Sequence, residues 1–263
     1  MKKQVNEDSK LGKTKFFDWK QHHRQKKDNY EMKKYNVKGI PPSTSIMKLL
    51  FQNPDPSKLP KGTMQCQMLR SASKWSLGLN NAEGSIENSI QNAYIEIIQN
   101  AKHFIYIENQ FFMSGTAGKV VKNGVAQALV YRIEKAHFRK EKFRVIVFLP
   151  LLPAFEGEVV DSKAALLRIQ MHWQYMTMCR GGESVYEQLR NQGIRPEDYI
   201  QFYSLRTHAV MPNGKPVTEL IYIHSKILVA DDDIMLIGSA NINDRSLQGS
   251  RDSELAVIFI MKF

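Results

Sequence analysis

The sequence predicts an α/β domain in which a layered mixed sheet is flanked by helices. Apolar residues recur at helical spacing in segments such as 86–98, whereas apolar runs such as 144–149 have the length and β-branched content of buried strands. The two kinds of segment alternate from about residue 64 onward. Such alternation is typical of helices layered on a shared sheet, and a 43% hydrophobic share in 263 residues is enough for its core.

The first predicted elements are a helix, a strand and a second helix. Ser85 is the expected cap of the first helix. Its apolar positions have helical spacing: Ile86, Ile90, Ala93, Tyr94, Ile97 and Ile98. The strand covers 103–107 and runs into the polar segment 108–110, and the second helix spans about 120–138.

The later elements are mostly strands. A buried strand at 144–149 is stopped by Pro150, and a helix covers about 163–178. Ser184 with Glu187 three residues on forms a capping box that opens a short helix. Further strands are predicted at 199–203, 221–230, 234–237 and 254–260.

Residues 1–60 are predicted to form a basic, poorly ordered extension, and residues 61–263 to form the domain. The extension lacks a hydrophobic pattern and ends in stretches rich in proline and serine. The chain as a whole carries a net charge of +11, which favours anionic partners such as nucleic acid, anionic lipid or phosphate esters. The basic extension is interpreted either as a solvated tail or as a surface-binding patch.

The chain shows no sequence sign of export or of a membrane span. Its start lacks the apolar core of a signal peptide, and no uncharged apolar run approaches the roughly 18 residues that a span needs. Two cysteines, Cys66 and Cys179, cannot form a disulfide framework and indicate a reducing compartment. We therefore expect a cytoplasmic protein that meets membranes only from the side.

His224 and Lys226 are the residues that first indicate chemistry. Residues i and i+2 of a strand project to the same face, so the two side chains are predicted to lie together. An imidazole can act as a nucleophile or proton donor near neutral pH. A neighbouring ammonium suits a phosphate anion and the negative charge that develops on it during reaction.

The residues that follow are predicted to complete this site. The acidic run 231–233 indicates a hairpin turn, and a turn centred on its middle residue places Lys226 opposite Gly238. The missing side chain of Gly238 is expected to leave room for a ligand, with the polar groups of Ser239 and Asn241 just beyond. The whole pattern, His-x-Lys-x4-Asp-x6-Gly-Ser-x-Asn, arises by chance on the order of once in 10⁵ to 10⁶ chains of this size.

This pattern resembles the signature of the phospholipase D superfamily. Segment IGSANINDRS (237–246), followed by RDSE (251–254), is similar to the second signature region of the eukaryotic phosphatidylcholine-hydrolysing enzymes. Other similar segments are IYIENQFF (105–112), LPLLP (149–153), FEG (155–157) and MCRG (178–181). The resemblance covers about residues 64–260 and is weak or absent over the first 60.

The resemblance implies a mechanism in which two such motifs meet in one site. One His attacks the phosphodiester and forms a phospho-histidine, while the other protonates the leaving alcohol and then activates water. By this resemblance Lys226 and Asn241 hold the phosphate, with Gly238 and Ser239 beside them, and no metal or other cofactor is required. Which His is the nucleophile stays open.

Supporting roles are also implied for residues outside the His-Lys pair. The Asp of the motif is mainly structural, so Asp231 is assigned a supporting role. A downstream acid orients the His ring, for which Glu254 is preferred and Asp252 is second. Glu108, Asn109 and Gln110 are expected to shape the pocket, with Asn109 and Gln110 contacting substrate.

Only one motif is found, because no other histidine is followed by a Lys at the required spacing. The chain is therefore expected to be the C-terminal catalytic half of a longer enzyme, with a phospholipid surface as partner. A second copy, or a separate first-half chain, would complete the site. Two alternatives stay open: a dimeric single-motif nuclease, although the lipase resemblance makes nucleic acid the less favoured partner, and a non-catalytic or regulatory fragment.

Overall fold

The computed structural model describes residues 63–77, 86–116, 120–155, 159–160 and 164–262. One compact unit, Met64–Phe263, contains all of these except Thr63. The extension predicted for residues 1–60 lies outside the described residues. Within them, no helix has the length and hydropathy that are needed to cross a membrane.

Helices and strands alternate along the described chain, as the sequence predicts. The strands are β1 (Thr63–Ser73), β2 (Ile86–Asn88), β3 (Phe104–Asn109), β4 (Arg144–Phe148), β5 (Ile200–Tyr203), β6 (Leu205–Val210), β7 (Pro216–Ile221), β8 (Lys226–Ala230), β9 (Ile234–Gly238) and β10 (Glu254–Lys262). The helices are α1 (Lys74–Leu77), α2 (Ser89–Asn100), α3 (Val125–Phe138), α4 (Ala165–Met178), α5 (Val185–Asn191) and α6 (Asp244–Leu247), with a 3₁₀ turn at Pro196–Asp198.

A mixed sheet forms the centre of the described fold, in the order β2-β1-β10-β9-β8-β3-β4-β5. Strands β3, β4 and β5 are parallel, while β8 is antiparallel to β3, β9 to β8 and β10 to β9. The carboxyl ends of β3, β4, β5 and β9 and the amino ends of β8 and β10 therefore meet along one edge, which we call the upper edge. The predicted α/β class with a mixed sheet is confirmed.

The two faces of the sheet are buried to different degrees. Residues on one face, including Ile105, Val147 and Leu228, are fully buried, and α2 packs against α3 and β8. The alternate residues form a second, half-exposed face that contains rings and aliphatic side chains. On it the ring of Phe148 lies 5.7 Å from that of Tyr106 and 5.3 Å from that of Tyr203. We call this second face the open face.

Two element boundaries differ from the sequence prediction. Residues 86–88 pair with β1 as β2, so the first helix begins at Ser89 with Asn88 as its N-cap, and Ser85 lies outside the described residues. The predicted strand 221–230 is divided, because Ile221 ends β7 and Lys226 begins β8. Strands β6 and β7 pair with each other in a separate hairpin, which sequence reasoning missed. The capping box of Ser184 and Glu187 is confirmed.

Candidate active site

The upper edge brings most of the predicted site residues together. Lys226 is the first residue of β8 and pairs with Asn109, the last residue of β3. His224 lies two residues before β8 in an irregular segment, rather than within the strand as predicted. Gly238 ends β9, and Glu254 begins β10.

The hairpin of β8 and β9 is centred on Asp232, as predicted. Ile227 pairs with Ile237, which places Lys226 and Gly238 one step beyond the last paired residues. The role predicted for Gly238 is wrong, however. A Cβ at this position would lie 2.5 Å from both the carbonyl oxygen of Leu255 and the Cβ of Ala256. The space that the glycine leaves is therefore filled by β10 and not by a ligand.

Lys226 is a buried cation without a carboxylate partner. Only 7% of the residue is exposed, and among the described residues no carboxylate lies within salt-bridge distance of its ammonium. The Nζ atom donates to Oε1 of Gln110 at 3.0 Å and to the carbonyl oxygen of His224 at 2.5 Å. Burial lowers the pKa of Lys226, and the nearby charge of Glu254 partly opposes this shift. These contacts leave the ammonium able to bind an anion.

Gln110 links Lys226 to a tyrosine that lies next to His224. Its Nε2 donates to the hydroxyl of Tyr222 at 2.7 Å, while its Oε1 accepts from Lys226. The rings of Tyr222 and His224 lie 6.3 Å apart. The ring of His224 therefore lies beside that of Tyr222, and Gln110 joins Tyr222 to Lys226. The exposed imidazole of His224 is accessible to substrate.

The predicted hydrogen bond between His224 and an acidic residue is not formed. Glu254 accepts from the hydroxyl of Ser239 instead. Asp252 accepts from the guanidinium of Arg245 at 2.8 and 2.9 Å. Ser239 directly follows β9 and its N–H donates to the carbonyl oxygen of Leu255, which places its hydroxyl beside the carboxylate of Glu254. An orienting role of Glu254 toward His224 stays a prediction for the substrate-bound site.

Asp231 has the contacts of a structural residue. Its carboxylate accepts three backbone N–H groups, from Lys102 at 2.5 Å, His103 at 2.7 Å and Phe104 at 2.9 Å. These bonds fix the beginning of β3 to the turn between β8 and β9. Both Asp231 and Asp232 have positive φ, at 55° and 57°, in the three-residue turn 231–233 that joins β8 to β9.

Replacing Asp231 with alanine is expected to destabilise the fold by roughly 2–4 kcal/mol, because three backbone donors lose a charged acceptor. Asp232→Ala is the matched control, since it has the same positive φ but its exposed carboxylate makes no bond. Urea unfolding followed by circular dichroism should show a much lower midpoint for Asp231→Ala than for Asp232→Ala. Equal midpoints would show that backbone strain, rather than the three hydrogen bonds, determines the loss.

The two asparagines of the site differ in their surroundings. Asn109 is fully buried, and its Oδ1 accepts from the backbone N–H groups of Phe111 and Ile242, both at 3.1 Å. The predicted contact of Asn109 with substrate is therefore wrong, and it instead positions the loop that carries Asn241. The Oδ1 atom of Asn241 is buried and has no hydrogen-bond partner among the described residues. A ligand hydroxyl could supply that bond.

Comparison with known proteins agrees with this geometry. The sequence model of a family described as Phospholipase D matches residues 43–259. This chain belongs to the phospholipase D family. Phospholipase D from Phytophthora infestans is 52% identical over 193 residues, which are 73% of this chain and 10% of that protein. Phospholipase D1 from Rattus norvegicus is 51% identical over 195 residues, which are 74% of this chain and 18% of that protein.

The chain thus spans between a tenth and a fifth of the length of these curated phospholipase D relatives. Among solved structures, a phospholipase D family member, Nuc from Salmonella typhimurium, shares 16% identity. The alignment with it covers 76% of this chain and 84% of that one, with a TM-score of 0.38.

Two residues of β3 support the phospholipase D motif: sequence reasoning assigned Glu108 to the pocket but missed Tyr106. Glu108 accepts from the hydroxyls of Tyr106 and Ser225, and Ser225 stands between His224 and Lys226. Burial and this carboxylate raise the pKa of Tyr106 to about 12, so its hydroxyl stays a donor. The signal was the i, i+2 spacing of Tyr106 and Glu108 on a predicted strand. Among the described residues, no group of three or more His, Cys, Asp or Glu could hold a metal ion.

Proposed function

We propose that this chain supplies one half of a phospholipase D site that cleaves phosphatidylcholine to phosphatidic acid and choline. The observation that carries the proposal is the exposed imidazole of His224 beside the buried ammonium of Lys226, which has no carboxylate partner in the part of the chain that the structure describes. A bound anion would stabilise a buried cation in that position, and a phosphodiester is an anion that a neighbouring imidazole can attack. The identity of about 50% to phospholipases D supports the lipid substrate.

In the proposed reaction, Lys226 binds a phosphoryl oxygen while Gln110 holds the ammonium in place. A histidine nitrogen forms a bond to phosphorus as the bond from phosphorus to the choline oxygen breaks, and a second histidine donates a proton to that oxygen. Water, deprotonated by the second histidine, then attacks the phospho-histidine and releases phosphatidic acid. His224 fills one of these two places.

The second histidine must come from another motif. The open face of the sheet supports association with a partner, since it presents half-exposed aromatic and aliphatic side chains such as Tyr203 and Ile237, each 42% exposed. A second copy of this chain would supply another His224, and a separate chain with the first motif would supply a different one. The first route requires a two-fold interface.

The site also fits two other functions. A dimeric nuclease would use the same phosphodiester chemistry, and the net charge of +11 favours nucleic acid. A non-catalytic fragment would bind the headgroup without turnover. Choline release from phosphatidylcholine and cleavage of DNA, measured side by side across a range of protein concentrations, separates the three. Choline release without DNA cleavage supports our proposal, whereas DNA cleavage without choline release overturns it in favour of a nuclease. Phosphate-dependent binding without either activity indicates a non-catalytic fragment.

The lowered pKa of Lys226 leads to a prediction on pH and stability. Below its folded-state pKa the buried lysine is charged, and this charge lowers the free energy of unfolding. The penalty is lost as the pH rises through the folded-state pKa toward the higher pKa of the unfolded chain. Lys226→Met removes the charge at similar volume. We expect the variant to be at least as stable as the parent near neutral pH, with the difference shrinking in alkaline solution.

Urea midpoints of both proteins at several pH values test this expectation. Inorganic phosphate should raise the midpoint of the parent but not that of Lys226→Met. Lys140→Met, at an exposed position, is the control for the loss of one charge. A parent protein that stays more stable than Lys226→Met at every pH would contradict the prediction.

A further inference from the structure

We propose that the hairpin of β6 and β7 is a membrane-inserting element that seats the upper edge of the sheet on a lipid bilayer. This inference rests on the proposed function only for the identity of the substrate, and its test does not require turnover. The hairpin spans Leu205–Ile221 and pairs with itself rather than with the main sheet. In β6 every residue is exposed.

The hairpin stands beside the candidate active site. It begins after β5, which ends on the upper edge at Tyr203, and it returns to Tyr222, whose hydroxyl bonds to Gln110. The large exposed apolar residues that follow β4 are concentrated near the same edge: Leu151, Leu152 and Phe155. A surface that the hairpin entered would therefore lie against the opening through which His224 is reached.

The side chains of the hairpin change in character from its tip to its base. The two pairs nearest the turn, Val210 with Pro216 and Ala209 with Val217, are apolar. The next pairs, His208 with Thr218 and Thr207 with Glu219, are polar. Consecutive pairs of a ladder point to opposite faces, so the two strand pairs next to the turn are apolar on both faces and the polar band follows them.

This layering fits a bilayer better than a protein partner. A protein would bury one face of the hairpin, whereas lipid surrounds both. Two strand residues and the turn reach about 7–10 Å at 3.4 Å per residue, which matches the 5–10 Å depth of interfacial insertion. Val210 and Met211, 71% and 48% exposed, would enter the acyl region, while Arg206 and Lys215 would reach headgroup phosphates.

Three of the four backbone N–H groups in the turn 211–215 donate to acceptors within the turn itself, which lowers the cost of entering lipid. The N–H of Met211 donates to the carbonyl of Lys215 at 2.9 Å, and that of Gly214 to the carbonyl of Met211 at 2.8 Å. The N–H of Lys215 donates to Oδ1 of Asn213 at 3.0 Å. Gly214 has a φ of +81°, which allows this closed turn.

Flotation of the full chain with phosphatidylcholine vesicles, with and without phosphatidylserine, tests the proposal. The double variant Val210→Ser, Met211→Ser should lower the partition coefficient roughly ten- to hundredfold. Met68→Ser, Phe138→Ser is the matched control, because it removes at least as much exposed apolar surface away from the hairpin, with exposures of 59% and 68%. The control should bind like the parent.

Met211→Trp gives a direct reading of depth. Its fluorescence should shift to the blue on addition of vesicles and be quenched by lipids brominated on their acyl chains. Unchanged vesicle binding of the Val210→Ser, Met211→Ser variant, or a tryptophan that brominated lipid does not quench, would overturn the proposal. So would a tip variant that changes only the oligomeric state seen by light scattering, since the hairpin would then contact another copy.

The outcomes also separate this proposal from the proposed function. If vesicle binding depends on the tip but no variant releases choline, the membrane-inserting role of the hairpin is supported and the proposed phospholipase D activity is contradicted. Where an assembly is active, the tip variant should lose activity on vesicles but keep it on a short-chain phosphatidylcholine that is soluble as a monomer. Equal losses on both substrates would mean that the tip acts in the site itself, which contradicts a docking role.

Discussion

His224→Ala should lower kcat by at least 10²- to 10⁴-fold in any assembly that cleaves phosphodiesters, because either the acid–base step or the covalent step is lost. Asp231 fixes the fold from a different position, so the variant should unfold at the same urea concentration as the parent. His172→Ala, also an exposed histidine, is the control and should keep full activity. Choline release under saturating substrate measures the effect.

Near-full activity of His224→Ala would show that this histidine is not at the reacting phosphorus. A second reading comes from trapping the intermediate with radiolabelled substrate under acid-free denaturing conditions. If His224 is the nucleophile, His224→Ala loses the label on the protein. If it is the general acid, the variant accumulates label more slowly, since the leaving alcohol is no longer protonated, but the bond to the other histidine still forms.

A monomer of this chain should have no efficient phospholipase D activity. Displacement at phosphorus needs a nucleophile on one side and an acid for the leaving oxygen on the other, and one imidazole cannot occupy both places. Loss of the acid alone costs roughly 10² to 10⁴ in rate, and loss of the nucleophile costs more. The open face, with Ile237 and Tyr203 exposed, favours association that would restore the second group.

Light scattering combined with choline release tests this expectation. Activity that rises with the square of protein concentration, and disappears on dilution to monomers, indicates that two copies complete the site. Ile237→Lys, which puts a charge on the open face away from Lys226, should abolish such activity while leaving the urea midpoint nearly unchanged. A confirmed monomer that hydrolyses phosphatidylcholine at ordinary enzyme rates would contradict the prediction.

The sequence predicts the elements of this fold well where one hydrophobic period dominates. The helix over Ser89–Asn100 and the strands β3 and β4 follow directly from the spacing of their buried residues. The hairpin of β6 and β7 has no such period, since it has no buried face in the described structure, and it was missed for that reason. A hydrophobic period arises where one face of an element is buried, so an element without a buried face shows no such period.

The site was predictable where local spacing decides geometry and not where distant segments meet. The centre of the hairpin turn follows from spacing alone, whereas the strand rule applied to His224 and Lys226 does not hold, because His224 lies before β8. The roles of Gly238 and Asn109 depend on β10 and on the loop after β9, whose approach no local pattern shows. In both cases a small or polar residue that looked suited to a ligand contacts the protein's own backbone.

The three hydrogen bonds of Asp231 impose an order on folding. They join positions 127 to 129 residues apart, and β3 lies between β4, which follows it closely in the chain, and β8, which follows much later. Short loops close faster than long ones, so the β8–β9 hairpin and the β3–β4 pair should each gain amide protection in pulsed hydrogen exchange before the amides that join β8 to β3 do. The segment with His224 and Lys226 then meets Asn109 and Gln110 only in this last step, so the candidate site is assembled after both parts of the sheet have formed.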